Sequence, residues 1–140
     1  MPFEPIQKNE IHRLGFGHEI ESRACRWLEA QDGYCLLERN FRSKGGEIDL
    51  IFEQQRQAGG ALELKRKTLE IVFVEVRARS WDGLVSGLES VGPKKRQNLA
   101  RAARAFLARY RGRAQGVRFD IVDWDGRRFL HVMDAFRPEF

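Results

Sequence analysis

Between Gly17 and Gln31 the apolar positions are Ile20, Ala24, Cys25, Trp27 and Leu28. That is the three-and-four spacing of a helix with one buried face. Asp32-Gly33 closes the segment, with Gly33 as its left-handed cap. From Tyr34 the period changes. Tyr34 to Arg42 reads as a strand with one partly buried face, Ser43 to Gly46 as a turn, and Glu47 to Glu53 (EIDLIFE) as a second strand. Residues 54–69 are polar, contain Gly59-Gly60 and keep no period, so a connecting loop is expected, part of it able to extend the hairpin. Glu70 to Arg79 (EIVFVEVRAR), rich in β-branched residues, is the third strand. Residues 80–92 hold three glycines and Trp81 and read as a long loop. Pro93 suits the first turn of a second helix, whose apolar stripe is Leu99, Ala102, Ala103, Phe106, Leu107 and Tyr110. Gly112 and Gly116 bracket its exit. Val117 to Trp124 and Phe129 to Phe136 are two last strands, joined at Asp125-Gly126.

The order α-β-β-β-α-β-β predicts an α/β fold, a mixed central sheet flanked by helices. Residues 1–14, with two prolines and little periodicity, are expected to be a flexible N-terminal arm, and residues 15–140 a single domain.

Side chains alternate across a strand. In the second strand Glu47, Asp49 and Ile51 are expected on one face and Ile48, Leu50 and Phe52 on the other. In the third, Ile71, Phe73, Glu75 and Arg77 oppose Val72, Val74 and Val76. An antiparallel hairpin brings the start of one strand beside the end of the other. A register symmetric about residue 62 sets Asp49 opposite Glu75 and Glu47 opposite Arg77. Opposed carboxylates with Cβ atoms about 5 Å apart are destabilising. A raised pKa relieves them, as does the Arg77 counter-charge. So does a divalent cation with oxygen ligands, Mg²⁺ or Mn²⁺. Only the cation gives the site a chemical use, since it activates water and offsets charge on a phosphate. The plain alternative is an ion-paired strand end at the sheet rim.

Composition narrows the picture. The chain has 140 residues, enough for one core, and 42% hydrophobic with 32% charged residues is a globular composition. No apolar run nears the roughly 20 residues that span a bilayer, and the N-terminus lacks a secretory pattern. A cytoplasmic protein without membrane contact is expected. Net charge is +5, which permits a polyanionic partner without requiring one. Its placement is more telling. Lys94, Lys95 and Arg96 follow Pro93 at a helix start, where the dipole and free N–H groups favour phosphate. With Arg101 and Arg104 they read as a track for a nucleic-acid backbone, in preference to an ordinary solvated face. Trp81 can stack on a base or pack on the sheet rim. Cys25 and Cys35 read as two small buried residues, and His12, His18 and His131 show no ligand spacing to one another.

Gly45-Gly46-Glu47-Ile48-Asp49-Leu50-Ile51, Val72 to Arg79, Arg118-Phe119-Asp120-Ile121-Val122 and Asp134-Ala135-Phe136 together resemble the YraN-like family. These are small bacterial proteins of the PD-(D/E)XK nuclease superfamily, similar in layout to archaeal Holliday-junction resolvases. The resemblance covers roughly residues 15–136 and implies a restriction-endonuclease-like core. It implies that Asp49 and Glu75 bind Mg²⁺ or Mn²⁺ and that Glu21 on the first helix completes the site; Glu47, in the same charged cluster, is expected to assist. Arg77 stands where most of these nucleases have Lys. Arg stays charged, so it can clamp a phosphate but not act as a base. Lys94, Lys95 and Gln97 fall near the helix that carries further substrate contacts. The implied activity is metal-dependent phosphodiester hydrolysis on DNA, branched or junction DNA included, with a homodimer by analogy. The other readings are a non-catalytic nucleic-acid-binding module and a protein-interaction domain.

Overall fold

The computed structural model describes residues 14–58, 66–78 and 91–138. The expected arm up to residue 13, the Gly59-Gly60 segment, Arg79 and the Trp81 loop up to residue 90 lie outside the described residues. The elements are α1 (Leu14–Glu29), β1 (Tyr34–Ser43), β2 (Gly46–Ala58), β3 (Arg66–Ala78), α2 (Pro93–Arg109), β4 (Gly116–Trp124) and β5 (Phe129–Phe136). Their order is the expected one. The polar stretch 54–69 differs: β2 continues to Ala58 and β3 starts at Arg66, paired from Gln54–Glu70 out to Ala58–Arg66. Gln55 and Arg56 there are exposed. Main-chain pairing holds this overhang without an apolar face, so it leaves no period in the sequence.

The five strands lie in the order β1-β2-β3-β4-β5. Every neighbouring pair is antiparallel except β3–β4, which is parallel. A parallel pair needs a long crossover, and α2 lies within it. Each helix covers one face of the sheet. Leu99, Ala102, Ala103 and Phe106 of α2 pack with Phe41, Ile51, Phe73 and Phe119. Ala24, Cys25 and Leu28 of α1 pack with Leu50, Phe52, Val72 and Val74. β3 is covered on both sides, which is why Ile71 to Val74 is an unbroken buried run. No helix among the described residues is long and apolar enough to cross a membrane.

Two local conformations shape the strands. Gly33, at φ +82°, was expected to cap α1, but the helix ends at Glu29 and Gly33 instead sits in the turn that Tyr34 N closes onto the Gln31 carbonyl, where a Cβ would lie 2.3 Å from the Gln55 carbonyl oxygen. Strand alternation fails at one point. Ile48 was expected beside Leu50 and Phe52, yet it packs with Phe41 and Ile51 on the α2 side. The change of side falls at Asp49. There β1 carries Asn40 at φ 50°, between the Arg39–Leu50 and Phe41–Ile48 pairs. Asn takes this left-handed conformation more cheaply than other non-glycine residues.

The cysteines divide. Cys25 is buried, but Cys35 is exposed. β1 is an edge strand whose half-buried positions alternate with exposed ones, and Cys35 falls on the outer set.

Candidate active site

Asp49 sits where β2 and β3 part. The last pair of that ladder at this end is Leu50–Val74, giving the register about residue 62 expected of the hairpin. Beyond it the Asp49 side chain takes over, its Oδ2 accepting a hydrogen bond from the Val76 amide at 2.8 Å. Glu75, only 5% exposed, lies beside it on β3. Its Oε1 is 3.3 Å from both Arg77 Nη2 and Lys95 Nζ. Its Oε2 is buried with no hydrogen-bond partner. Glu21 reaches in from α1, and its Oε2 is buried and likewise without a hydrogen bond, with His18 Nδ1 4.0 Å away.

Three elements thus bring three carboxylates together, and their titration reflects it. Burial, then the charge of Asp49, pushes Glu21 up to about 7, while Arg39 on β1 pulls the other way. Burial, then Asp49, also pushes Glu75 up to about 7, against the pull of Lys95 and Arg77. Burial raises Asp49 too, opposed by the Val76 amide and by Lys95. Such a site favours added protons or added positive charge.

Of the residues expected here, Glu21, Asp49, Glu75 and Arg77 converge. Glu47 does not face Arg77. It is exposed and paired with Arg42 of β1 at 3.4 Å, although its charge still acts on Asp49. Strand alternation misplaced it because the face changes at Asp49. Lys95 leaves the basic track and joins the acids. Lys94, Arg96, Gln97, Arg101 and Arg104 stay exposed on α2. Arg96, Gln97, Arg101 and Arg104 line an open groove of about 490 Å³ with Pro93, Ala100 and Pro138. Arg96 is also tethered, donating to the Val91 carbonyl at 3.0 Å and lying over the Phe136 ring.

The glycine pair before Glu47 explains how Lys95 arrives. A Cβ on Gly45 would lie 2.9 Å from the Arg101 side chain, and one on Gly46 would lie 2.5 Å from the Asn98 carbonyl oxygen. The β1–β2 turn and α2 pack backbone against helix there, which sets the first turn of α2 over Glu75.

Arg39 carried no sequence signal, yet its charge acts on Glu21 and its Nη2 donates to Ser22 Oγ at 2.7 Å. A second polar centre also escaped the reading. Asp120 is buried and accepts from Arg118 at 2.8 and 2.9 Å and from the Asp134 amide at 2.9 Å. His131 Nε2 lies 2.7 Å from the same carboxylate. Burial raises the Asp120 pKa, but His131, Arg118 and the Asp134 amide outweigh it and hold the group below its usual value. Asp134, at φ 52°, sits in the irregular stretch of the β4–β5 ladder, which this network fills. Opposite charges two apart, in a strand whose other residues are apolar apart from Asp123, were the available signal.

Among the described residues no three His, Cys, Asp or Glu side chains stand at the spacing of a metal cage. Mg²⁺ needs less, since it keeps several waters and is commonly bound by one or two carboxylates. Asp49 and Glu75 are the residues that would hold it, and the unpartnered Glu75 Oε2 is the oxygen that suits a hard cation.

A mixed five-stranded sheet in α-β-β-β-α-β-β order, with carboxylates at the β2–β3 fork, is a restriction-endonuclease-like core. The chain belongs to the uncharacterised protein family UPF0102, the YraN-like family, whose sequence profile matches residues 20–123. It is 47% identical over 123 residues to a UPF0102 protein of Halorhodospira halophila, covering 88% of each chain. It is 42% identical over 138 residues to one of Burkholderia pseudomallei, covering 99% of this chain and 86% of the relative. A Burkholderia mallei relative is 42% identical over 127 residues, 91% of this chain and 78% of its own.

Proposed function

We propose that this protein is a metal-dependent endonuclease that hydrolyses phosphodiester bonds in DNA, branched or junction DNA in particular. One observation carries the reading: Glu21, Asp49 and Glu75 share one site, with Glu21 and Glu75 pushed up to about 7. Acid burial compensated only in part is costly, with Glu21 Oε2 and Glu75 Oε2 left unpartnered, and a divalent cation with a phosphate substrate supplies the rest. Asp49 and Glu75 would hold Mg²⁺ or Mn²⁺, which lowers the pKa of a bound water and offsets charge on the phosphate. Arg77 holds the scissile phosphate by hydrogen bonds from its guanidinium and stays protonated throughout. Glu21, titrating near neutrality, takes a proton from the attacking water at its carboxylate. Lys94, Arg96, Gln97, Arg101 and Arg104 take the flanking backbone and contribute salt-dependent affinity. A homodimer would present two such sites to the symmetric strands of a junction.

A second reading, a nucleic-acid-binding module without cleavage, is favoured by the double ion pair on Glu75, which neutralises that carboxylate without metal. A cleavage screen decides between them, using linear, flapped and four-way DNA, and matching RNA, in Mg²⁺ and Mn²⁺. The expected result is Mn²⁺- or Mg²⁺-dependent cutting of DNA that disappears in Asp49→Ala and Glu75→Ala. Tight, salt-sensitive binding with no cutting in any divalent metal would establish the second reading instead.

A further inference from the structure

We propose that Lys95 is the resident counter-cation of the Asp49–Glu75 pair, and that a divalent metal entering there displaces its ammonium group and frees it to grip a nucleic-acid phosphate. The inference rests on the metal-dependent reading above. Lys95 Nζ lies 3.3 Å from Glu75 Oε1, and its charge acts on Asp49 as well. It therefore neutralises the same two carboxylates that would hold the metal. Arg77 shares Glu75 Oε1 but comes from the same strand two residues on. Lys95 comes from another element, and its side chain is 34% exposed. A lysine ammonium is a point charge on a flexible stem and re-aims easily, whereas a guanidinium is a fixed planar fork. A metal on the unpartnered Glu75 Oε2 would be a third cation on a carboxylate whose Oε1 already holds Arg77 and Lys95, and the repulsion falls on the more mobile ammonium, so metal and ammonium compete.

Metal and nucleic acid then become linked ligands. Metal entry supplies a free ammonium at the first turn of α2, and phosphate captures it. Linkage is reciprocal, so nucleic acid tightens metal binding by the factor by which metal tightens nucleic-acid binding.

The test is Mn²⁺ titration by calorimetry, with and without a non-cleavable phosphorothioate four-way junction, together with junction binding by fluorescence anisotropy. In the wild type the junction is expected to tighten Mn²⁺ binding about fivefold or more. Lys95→Gln is expected to bind Mn²⁺ more tightly than wild type without DNA and to lose the linkage. Lys95→Arg keeps the charge and keeps the weaker Mn²⁺ binding. Lys67→Gln, the same charge loss at an exposed position on β3, keeps the linkage. Mn²⁺ binding that is the same in wild type and Lys95→Gln overturns the inference while leaving the metal site standing. No Mn²⁺ binding in either overturns both the metal-dependent reading and the inference.

Discussion

Glu75→Gln should stabilise the metal-free protein by an amount that grows as pH rises from about 4.5 and levels off above about 7. Glu75 is 5% exposed and its pKa stands at about 7, against an ordinary 4.5. The folded state therefore binds its proton more tightly than the unfolded chain does. The contribution of that proton to stability is complete below about pH 4.5 and is lost as pH rises through 7. Integrated from near pH 5 to near pH 8, the loss is about 2–3 kcal/mol, a large fraction of a small domain's stability. Glutamine has the shape of the protonated acid and cannot ionise. Urea unfolding in EDTA is the assay, with the midpoint and slope read at both pH values. Near pH 5 the two proteins should unfold at similar urea concentrations; near pH 8 the variant should be the more stable by about 2 kcal/mol. Equal midpoints at both pH values, or a variant less stable near pH 8, would show that Lys95 and Arg77 fully compensate Glu75, and would refute the claim that the site is left short of positive charge.

Gly46→Ala should cost about 1–3 kcal/mol, because the new Cβ would lie 2.5 Å from the Asn98 carbonyl oxygen; an unchanged urea midpoint would show that α2 is free to move off the turn. Asp120→Asn should cost about 3–5 kcal/mol, since Arg118, 4% exposed, keeps its charge and loses its ionised partner. Because the Asp120 pKa is held down, its contribution is present above the ordinary carboxylate pKa and fades as pH falls through the lowered one, so the Asn variant should also flatten the acid limb of the stability profile; a near-neutral substitution would contradict this. A thiol reagent should modify exposed Cys35 in the native protein and reach Cys25, buried and pushed up to about 12 by burial and then by Glu29, only on unfolding. Equal rates at both would contradict the packing of α1.

The fold was legible because two periods dominate the chain. The helical stripe from Leu99 to Phe106 and the apolar run Ile71 to Val74 are imposed by burial, and both read directly. The hairpin register read well for the same reason, since charged ends and apolar middles align only one way. What escaped were features set by single residues or by tertiary approach. Asn40 turns the chain at the point where Ile48 changes side, and no period carries that. The ion pair of Lys95 with Glu75 was missed because a helix start rich in Lys and Arg gives no sign of what lies under it. Its contact with Glu75 depends on how closely Gly45 and Gly46 let α2 approach. The Asp120 network joins residues from β1, β4 and β5, beyond the reach of local pattern.

Cleavage of an end-labelled four-way DNA junction in Mn²⁺, by wild type and by Glu75→Gln purified in parallel, tests the central claim most directly. Discrete product bands from the wild type, absent with the variant and in EDTA, are expected. Equal cutting by both proteins, or none from the wild type in Mn²⁺ or Mg²⁺, would contradict a catalytic role for the carboxylates at the β2–β3 fork.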